Sequence, residues 1–493
     1  MRTPAAETAL EGWRPHAGPG VPLHQQVSQA IRLRIDSGAL GLGARLPSSR
    51  DLASQLGMSR ATVELAYSNL AAEGYVARRS AAGTRVLRAR PPIPCPVPRA
   101  GAPLLPGMAS QPAQLPMLFQ MGLPALDAFP RKLWSRLAGR HARSLSVPKM
   151  VYQEPGGYSP LRRAIANHLA ISRGLACSEA QVFVTSGFLG GLALAARALL
   201  RAGDKVLVED PGFSPAREAI VLGGGVPVAV PVDQDGMKVG PGIVAAPDAR
   251  AALLTPSVQF PLGGKLSASR WKQMLDWASR SGAWILQDDY EEGLGRPSGT
   301  PPPVRSAEAT DRVLHLGSFS NVLFPGLRLG YVVVPPSLVP RLDYATALLP
   351  TQQSVLDQMA LCDFIEGGHF GRHLARMRSL YAARKKALAQ ALERVFGNLV
   401  QVETHCGMHL LLRLPARCDD ITLALAARAH GLAANALSSM RIQARTGPGL
   451  LLGYTNVRPE AAMDAAACLR HALHAGLSSR MGADRDPPQP PSG

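Results

Sequence analysis

Between residues 88 and 116 the chain carries nine prolines, Pro91, Pro92, Pro94, Pro96, Pro98, Pro103, Pro106, Pro112 and Pro116. A backbone so often locked in φ and so short of N–H donors can join neither a helix nor a sheet, so this stretch is a linker. It cuts the 493-residue chain into a small module at residues 20–88 and a body at residues 119–477. The body is long enough for one large α/β unit or two subdomains. The linker itself, residues 89–118, could span roughly 90–100 Å at about 3.3 Å per extended residue. The tail, residues 478–493, ends Asp-Pro-Pro-Gln-Pro-Pro-Ser-Gly and is expected to be disordered.

Apolar residues make up 46 % of the chain, which builds buried cores and excludes a disordered polymer. Lysine and arginine number 53 against 35 acids, a net charge of +18, and this favours a polyanionic partner, nucleic acid first. The six cysteines form no Cys-x-x-Cys pair, so neither a zinc site nor a disulfide framework is indicated, and no metal is expected. No run of about 18 apolar residues occurs, and Met1 to Gly20 lacks the apolar stretch of a signal peptide. A soluble, cytoplasmic protein without membrane contact is expected.

In the small module Val27, Ala30, Ile31 and Ile35 fall at helical spacing, and that helix should end near Ser37-Gly38. Ser48 can cap a second helix, with Asp51 three residues on, and Gly57 breaks it. Ser59 can cap a third, whose buried stripe is Val63, Ala66, Tyr67 and Leu70, leaving Arg60, Thr62 and Glu64 turned elsewhere. Two helices joined by a tight glycine turn make a helix-turn-helix. Val76 to Val86, interrupted by Ser80-Ala81-Ala82-Gly83, reads as a hairpin or wing. A helix N-terminus offers free N–H groups to phosphate, and Arg60 and Thr62 can reach base edges. Arg50, Arg78, Arg79 and Arg85 can clamp the flanking backbone. A three-helix domain devoted to protein contacts is the alternative.

The runs Leu46-Pro47-Ser48-Ser49-Arg50-x-Leu52-Ala53-x-x-Leu56-Gly57, Ser59-Arg60-x-Thr62-Val63 and Glu73-Gly74-Tyr75 resemble the winged helix of GntR-type bacterial transcription regulators. The resemblance spans the whole module. It implies contacts to double-stranded operator DNA from Arg50, Ser59, Arg60 and Thr62 and from the wing at Gly83, Thr84 and Arg85. The tip, Arg79 to Gly83, departs from the glycine-rich form usual in that family.

In the body, apolar runs ending in small or charged residues alternate with helical stretches such as Gly190 to Arg201 and Ser269 to Arg280. The runs include Gln181 to Gly187, Lys205 to Gly212, Ala251 to Pro256, Ala283 to Tyr290 and Arg312 to Ser318. This alternation means a mostly parallel sheet covered on both faces, with ligands at the carboxyl ends of its strands. The ordered motifs Glu209-Asp210-Pro211-Gly212-Phe213, Thr255-Pro256-Ser257-x-Gln259-Phe260-Pro261, Asp288-Asp289-Tyr290 and Gly317 to Tyr331 resemble fold type I pyridoxal-phosphate enzymes, the aminotransferase class. Together the two halves resemble the MocR subfamily of GntR regulators. The fold expected is α/β: an N-terminal winged helix plus a large aminotransferase-like domain with a smaller C-terminal subdomain.

That resemblance implies pyridoxal 5′-phosphate as cofactor. Asp288, or failing it Asp289, would accept a hydrogen bond from the pyridine nitrogen and Tyr290 would donate to the phenolic oxygen. Phe213 would stack on the ring, and Ser318, Ser320 and Arg328 would hold the phosphate. Members that bind the cofactor covalently carry lysine in Gly-Thr-Phe-Ser-Lys, whereas this chain reads Gly317-Ser318-Phe319-Ser320-Asn321. An amide nitrogen shares its lone pair with its carbonyl, so Asn321 can neither form an imine nor shuttle the proton of transamination. Ser186 to Gly190, Pro215, Val258 and Leu262 depart from the pattern at the same pocket. Lys265 is the one lysine in a motif loop that could substitute.

The chain is therefore expected to be a DNA-binding regulator with no catalytic residues, whose body senses a small molecule, with the cofactor noncovalent if bound at all. An aminotransferase carrying a DNA-binding arm and a ligand-free dimeric scaffold are the competing readings. The resemblance further implies a homodimer, which would read a repeated or palindromic operator.

Overall fold

The computed structural model of the chain describes residues 10, 12–15, 21–79, 83–87, 116–290, 311–349, 354–405 and 407–478. Most of the linker expected at 89–118, the tail from 479 and the wing tip at 80–82 lie outside the described residues, as do Cys95 and Cys406. Two compact units divide the chain, Met1–Pro103 and Leu104–Gly493.

In the first unit the serines act as caps. Ser48 Oγ accepts from Asp51 N at 3.1 Å and Ser59 Oγ from Thr62 N at 3.2 Å, which satisfies N–H groups that a helix start leaves bare. These caps open α2 (Ser49–Leu56) and α3 (Arg60–Ala72), which follow α1 (Leu23–Asp36). Gly57, at φ +64°, ends α2 in the left-handed conformation. Val27, Ile31, Leu52, Val63, Tyr67 and Leu70 share one core with Val76 and Val86. The last two belong to the antiparallel pair β1 (Val76–Arg79) and β2 (Gly83–Val86). An isolated antiparallel bridge, Arg45 opposite Arg85, lies beside β2, flanked by Leu46 N to Thr84 O (2.8 Å) and Val86 N to Ala44 O (2.9 Å).

The second unit is built on an eight-stranded sheet. Its strands are β3 (Val182–Thr185), β4 (Lys205–Asp210), β5 (Val226–Asp233), β6 (Gly236–Met237), β7 (Ala251–Leu254), β8 (Trp284–Asp288), β9 (Val313–Ser318) and β10 (Gly330–Val333), in the order β3-β10-β9-β8-β7-β4-β5-β6. The central pairs β5·β4, β4·β7, β7·β8 and β8·β9 are parallel, and β10 runs antiparallel between β3 and β9. Alternate residues enter different cores: Val206 and Val208 join Leu286 and Leu314 on one face, while Leu207 joins Ile285 and Val313 on the other. The sheet is thus covered on both faces, as continuous apolar strands require.

Helices α4 (Arg131–Arg143), α5 (Ser159–Arg173), α6 (Phe188–Leu199), α7 (Ser214–Leu222), α8 (Val239–Ala245), α9 (Ala268–Ser281), α10 (Val339–Leu348), α11 (Val355–Glu366) and α12 (His369–Phe396) supply the cover. Helix α6 begins two residues before the expected Gly190, directly after Gly187, and this brings its N-terminus to the strand ends. The smaller C-terminal subdomain has the antiparallel order β11-β12-β14-β13, formed by β11 (Gln401–Glu403), β12 (His409–Arg413), β13 (Asn435–Ala436) and β14 (Gly449–Gly453). Helices α13 (Asp420–Ala429) and α14 (Ala462–Ser478) complete it.

Candidate functional site

The parallel register sets Glu209, Thr255, Asp288 and Ser318 at one edge of the large sheet, because β4, β7, β8 and β9 run the same way and end together. Ser318, Ser320 and Arg328 converge there on the start of α6. Gly187 caps that helix at φ +82°, and a Cβ on it would lie 3.7 Å from Ser320 Oγ, 3.9 Å from Ser318 Oγ and 4.0 Å from Arg328 Nη1. Ser318 Oγ accepts from Ser320 N at 3.2 Å, whereas the buried Ser320 Oγ has no hydrogen-bond partner among the described residues. Arg328 adopts φ +51° after the turn Pro325–Leu327, a conformation that costs a non-glycine residue about 1 kcal/mol and here aims an exposed guanidinium at the helix start. Bare N–H groups, two hydroxyls and an arginine make a receptor for a phosphate-sized anion.

The two neighbouring aspartates are not equivalent. Asp289 pairs with Arg173 Nη2 at 2.7 Å. Asp288 is buried, its Oδ1 meets no partner among the described residues, and burial, then Asp289 and Glu209, push its carboxyl well above the usual carboxylate range. Burial therefore disfavours the charged form of this carboxyl. Glu209, which carried no role in the sequence reading, is fully buried and accepts from Thr255 Oγ1 at 2.6 Å and Thr255 N at 3.2 Å. Burial outweighs those bonds and pushes it up to about 7.

An aromatic wall bounds the space. Phe213 lies 6.4 Å from Phe188 and 5.7 Å, edge-on, from Phe260; Phe260 in turn meets Tyr290 at 6.0 Å and His409 at 5.4 Å. Phe260 and His409 went unassigned in the sequence, His409 because it comes from β12, some 150 residues downstream. Burial lowers the His409 imidazole to about 4, and one ring nitrogen lies 2.9 Å from Pro261 O. Leu262 packs with Leu411, Leu437, Met440 and Leu451 of the small subdomain, so that departure serves a core there.

Asn321 is half-buried, and its Nδ2 donates to Tyr290 O at 3.3 Å. The chain has eight lysines, and none falls between residues 273 and 384, the span that includes Asp288, Ser320 and Arg328. Lys265 is exposed, and its amide donates to Gln234 O at 3.0 Å, just past the carboxyl end of β5. Among the described residues no three His, Cys, Asp or Glu side chains could hold a metal, and no helix is long and apolar enough to cross a membrane.

Asp210, inside the motif read as part of the cofactor site, does something different. Its carboxylate accepts from three successive amides, Ile442 N (2.7 Å), Gln443 N (2.7 Å) and Ala444 N (2.8 Å). Arg217 donates to Met440 O at 2.7 Å and Ser214 to Ser439 O at 3.0 Å. The loop carrying Phe213 is thereby latched to the small subdomain.

In the first unit, the α3 N-terminus presents Ser59, Arg60 and Thr62, and Arg50 is exposed on α2. Arg60 Nε is held by Glu64 at 2.9 Å, an exposed pair worth about 0.3–0.5 kcal/mol that a stronger partner can break. Thr84 lies on β2 opposite Arg78, and Gly83 opposite Arg79. Arg85 is exposed and donates to Gly43 O at 3.0 Å.

Comparison with known proteins agrees with both halves. Residues 23–86 match the gntR family of bacterial regulatory proteins, and residues 136–465 match aminotransferase class I and II. The probable rhizopine catabolism regulatory protein MocR of Rhizobium meliloti is 35 % identical over 474 residues, covering 93 % of this chain and 95 % of that protein. The pyridoxine biosynthesis transcriptional regulator PdxR of Corynebacterium glutamicum is 31 % identical over 431 residues, covering 86 % and 89 %. Among solved structures, the α-aminoadipate aminotransferase LysN of Thermus thermophilus superposes with a TM-score of 0.66 at 26 % identity, over 74 % of this chain and 93 % of that one. A Pyrococcus horikoshii kynurenine aminotransferase gives 0.64 at 24 %, over 72 % and 90 %. The chain belongs to the GntR-family transcription regulators that carry an aminotransferase class I and II domain, the MocR type.

Proposed function

We propose that the chain is an operator-binding regulator whose body holds a phosphorylated pyridine of the pyridoxal class without a covalent bond and performs no transamination. One observation carries the reading: the strand end that presents Ser318 and Ser320 to α6 continues into a carboxamide whose nitrogen is already engaged by the Tyr290 carbonyl. When bound, pyridoxal 5′-phosphate supplies an aldehyde and an electron-withdrawing ring. Use of the aldehyde needs an amine at this strand end, and none is there.

The chain's own groups fit such a ligand. Ser318, Ser320, Arg328 and the first amides of α6 would hold the phosphate, Phe213 would cover the ring, and Tyr290 would donate to its phenolic oxygen. Asp288, whose charged form burial disfavours, would face the ring nitrogen, where a protonated pyridine would pair with its carboxylate and offset the cost of a lone buried charge. The unpartnered oxygens of Asp288 and Ser320 support this assignment, and the Arg173 pair removes Asp289 from the role.

At the other end, the α3 amides and Ser59 would face a phosphate, Arg60 and Thr62 would read base edges, and Arg50, Gly83, Thr84 and Arg85 would meet the flanking backbone. We assign the module to residues 20–88, the linker to 89–118, the effector body to 119–477 and the tail to 478–493. A homodimer acting in the cytoplasm on a two-fold operator completes the proposal. Equilibrium dialysis with pyridoxal 5′-phosphate and a panel of amino acids tests it. The ligand should be retained, released unchanged on dilution, and yield no keto acid. Keto acid formation would restore the aminotransferase reading, and no retention of any vitamer would leave a ligand-free scaffold.

A further inference from the structure

Two arginines stand face to face on the wing. An isolated antiparallel bridge sets Arg45 opposite Arg85 on the outer side of β2. The bonds Leu46 N to Thr84 O and Val86 N to Ala44 O flank the pair rather than join it. It is therefore the non-hydrogen-bonded kind of antiparallel pair, in which opposed side chains stand closest, with Cα atoms about 4.5 Å apart. Strand alternation buries Leu46, Val76 and Val86 in the core and leaves Arg45, Ala77 and Arg85 on the outer face.

Like charges placed this way destabilise a free sheet, and nothing nearby relieves them. Three of the module's acids are engaged elsewhere, Glu73 with Arg32, Glu64 with Arg60 and Asp51 with Ser48, the fourth, Asp36, ends α1, and no ion pair to Arg45 or Arg85 occurs among the described residues. Yet both guanidiniums are positioned. Arg85 Nη1 donates to Gly43 O at 3.0 Å. Arg45 lies over Gly83, where a Cβ would come within 3.1 Å of its Nε and 3.4 Å of its Nη2. Gly83 is required twice, by its φ of +74° and by the room it leaves for Arg45.

We propose that Arg45 and Arg85 form one phosphate-binding subsite on the outer face of the wing, which takes a backbone phosphate of duplex DNA. The anion relieves a repulsion that the free sheet carries, and the contact positions the wing without reading sequence. The inference rests on the DNA-binding reading of the module and adds Arg45 to the residues that reading names.

Salt-titrated fluorescence anisotropy of the full-length protein, with two duplexes of about 30 base pairs and unrelated random sequence, tests it between roughly 50 and 200 mM salt. One phosphate contact contributes about 0.9 to the slope of log K against log salt. Arg45→Ala should therefore flatten the slope by about one unit, equally on both duplexes, and Arg45→Lys should retain most of it. Without DNA, the melting temperature of Arg45→Ala should hold or rise, because the repulsion is gone. An unchanged slope would overturn the subsite. So would a loss confined to one duplex, which would make Arg45 a base reader, or a fall in melting temperature, which would make the pair a structural fixture. If the DNA-binding reading itself were wrong, the wild type would bind neither duplex.

Discussion

Asn321 and Asp288 divide the proposed chemistry of the strand-end site between them: a carboxamide cannot bond covalently to an aldehyde, and in the proposed complex the buried carboxyl would face the ring nitrogen. Replacement by Asn321→Lys returns the missing nucleophile. With pyridoxal 5′-phosphate added it should produce a borohydride-sensitive absorbance band that neither wild type nor Asn321→Ala shows. A colourless Asn321→Lys protein would mean that the phosphate receptor has decayed as well. Glu209 makes a separate prediction. Its carboxyl titrates near 7 when folded, against 4.5 ordinarily, so the folded chain binds the extra proton between those values. The stability linked to Glu209 is present below pH about 4.5 and is lost as pH rises toward 7, by roughly 3 kcal/mol at 1.36 kcal/mol per unit. Glu209→Gln should remove that slope, read as the difference between the two proteins in urea unfolding across the range. Asp288 acts in the same direction, so the variant should retain part of the wild-type dependence.

At the level of elements, the caps and the latch decide local stability. Ser48→Ala and Ser59→Ala should each cost about 1 kcal/mol of the module's stability, seen as a lower melting temperature. Asp210→Ala strands three amides at Ile442, Gln443 and Ala444. It should cost roughly 3 kcal/mol and speed hydrogen exchange at those amides ahead of the rest of the small subdomain. Unchanged exchange would mean that the latch carries no load. The helices of the module were legible because serine caps, Gly57 and a buried stripe all sit at local spacing. Five strands of the body, β3, β4, β7, β8 and β9, were legible because each is a continuous apolar run closed by a polar residue, whereas β5, β6, β10 and the small sheet were not read. The bridge from Arg45 to Arg85 was not legible either, since Gly43 and Ala44 carry no alternation and pairing with β2 is a tertiary choice. Nor was the start of α6, which is set by Gly187 turning against Ser318, Ser320 and Arg328 and not by any cap its own sequence announces.

On the scale of the whole chain, the order of motifs was enough to separate a GntR-type module from an aminotransferase-like body. What sequence order could not show was convergence. It kept Asp289 as the fallback for Asp288, and in the structure Asp289 pairs with Arg173. Nor could it show that the Asp210 carboxylate holds a loop more than 200 residues away. His409 stayed invisible because the small subdomain delivers it across the fold. For DNA, Arg60→Ala should weaken binding to the operator by about 1–3 kcal/mol and leave random duplexes nearly unaffected. An equal loss on both would mark Arg60 as a phosphate contact.

The most direct measurement is the intact mass of the chain after saturation with pyridoxal 5′-phosphate and reduction with borohydride. The account predicts one species at the mass of the unmodified polypeptide. A stoichiometric increase of one phosphopyridoxyl group, mapped to a single lysine, would contradict it.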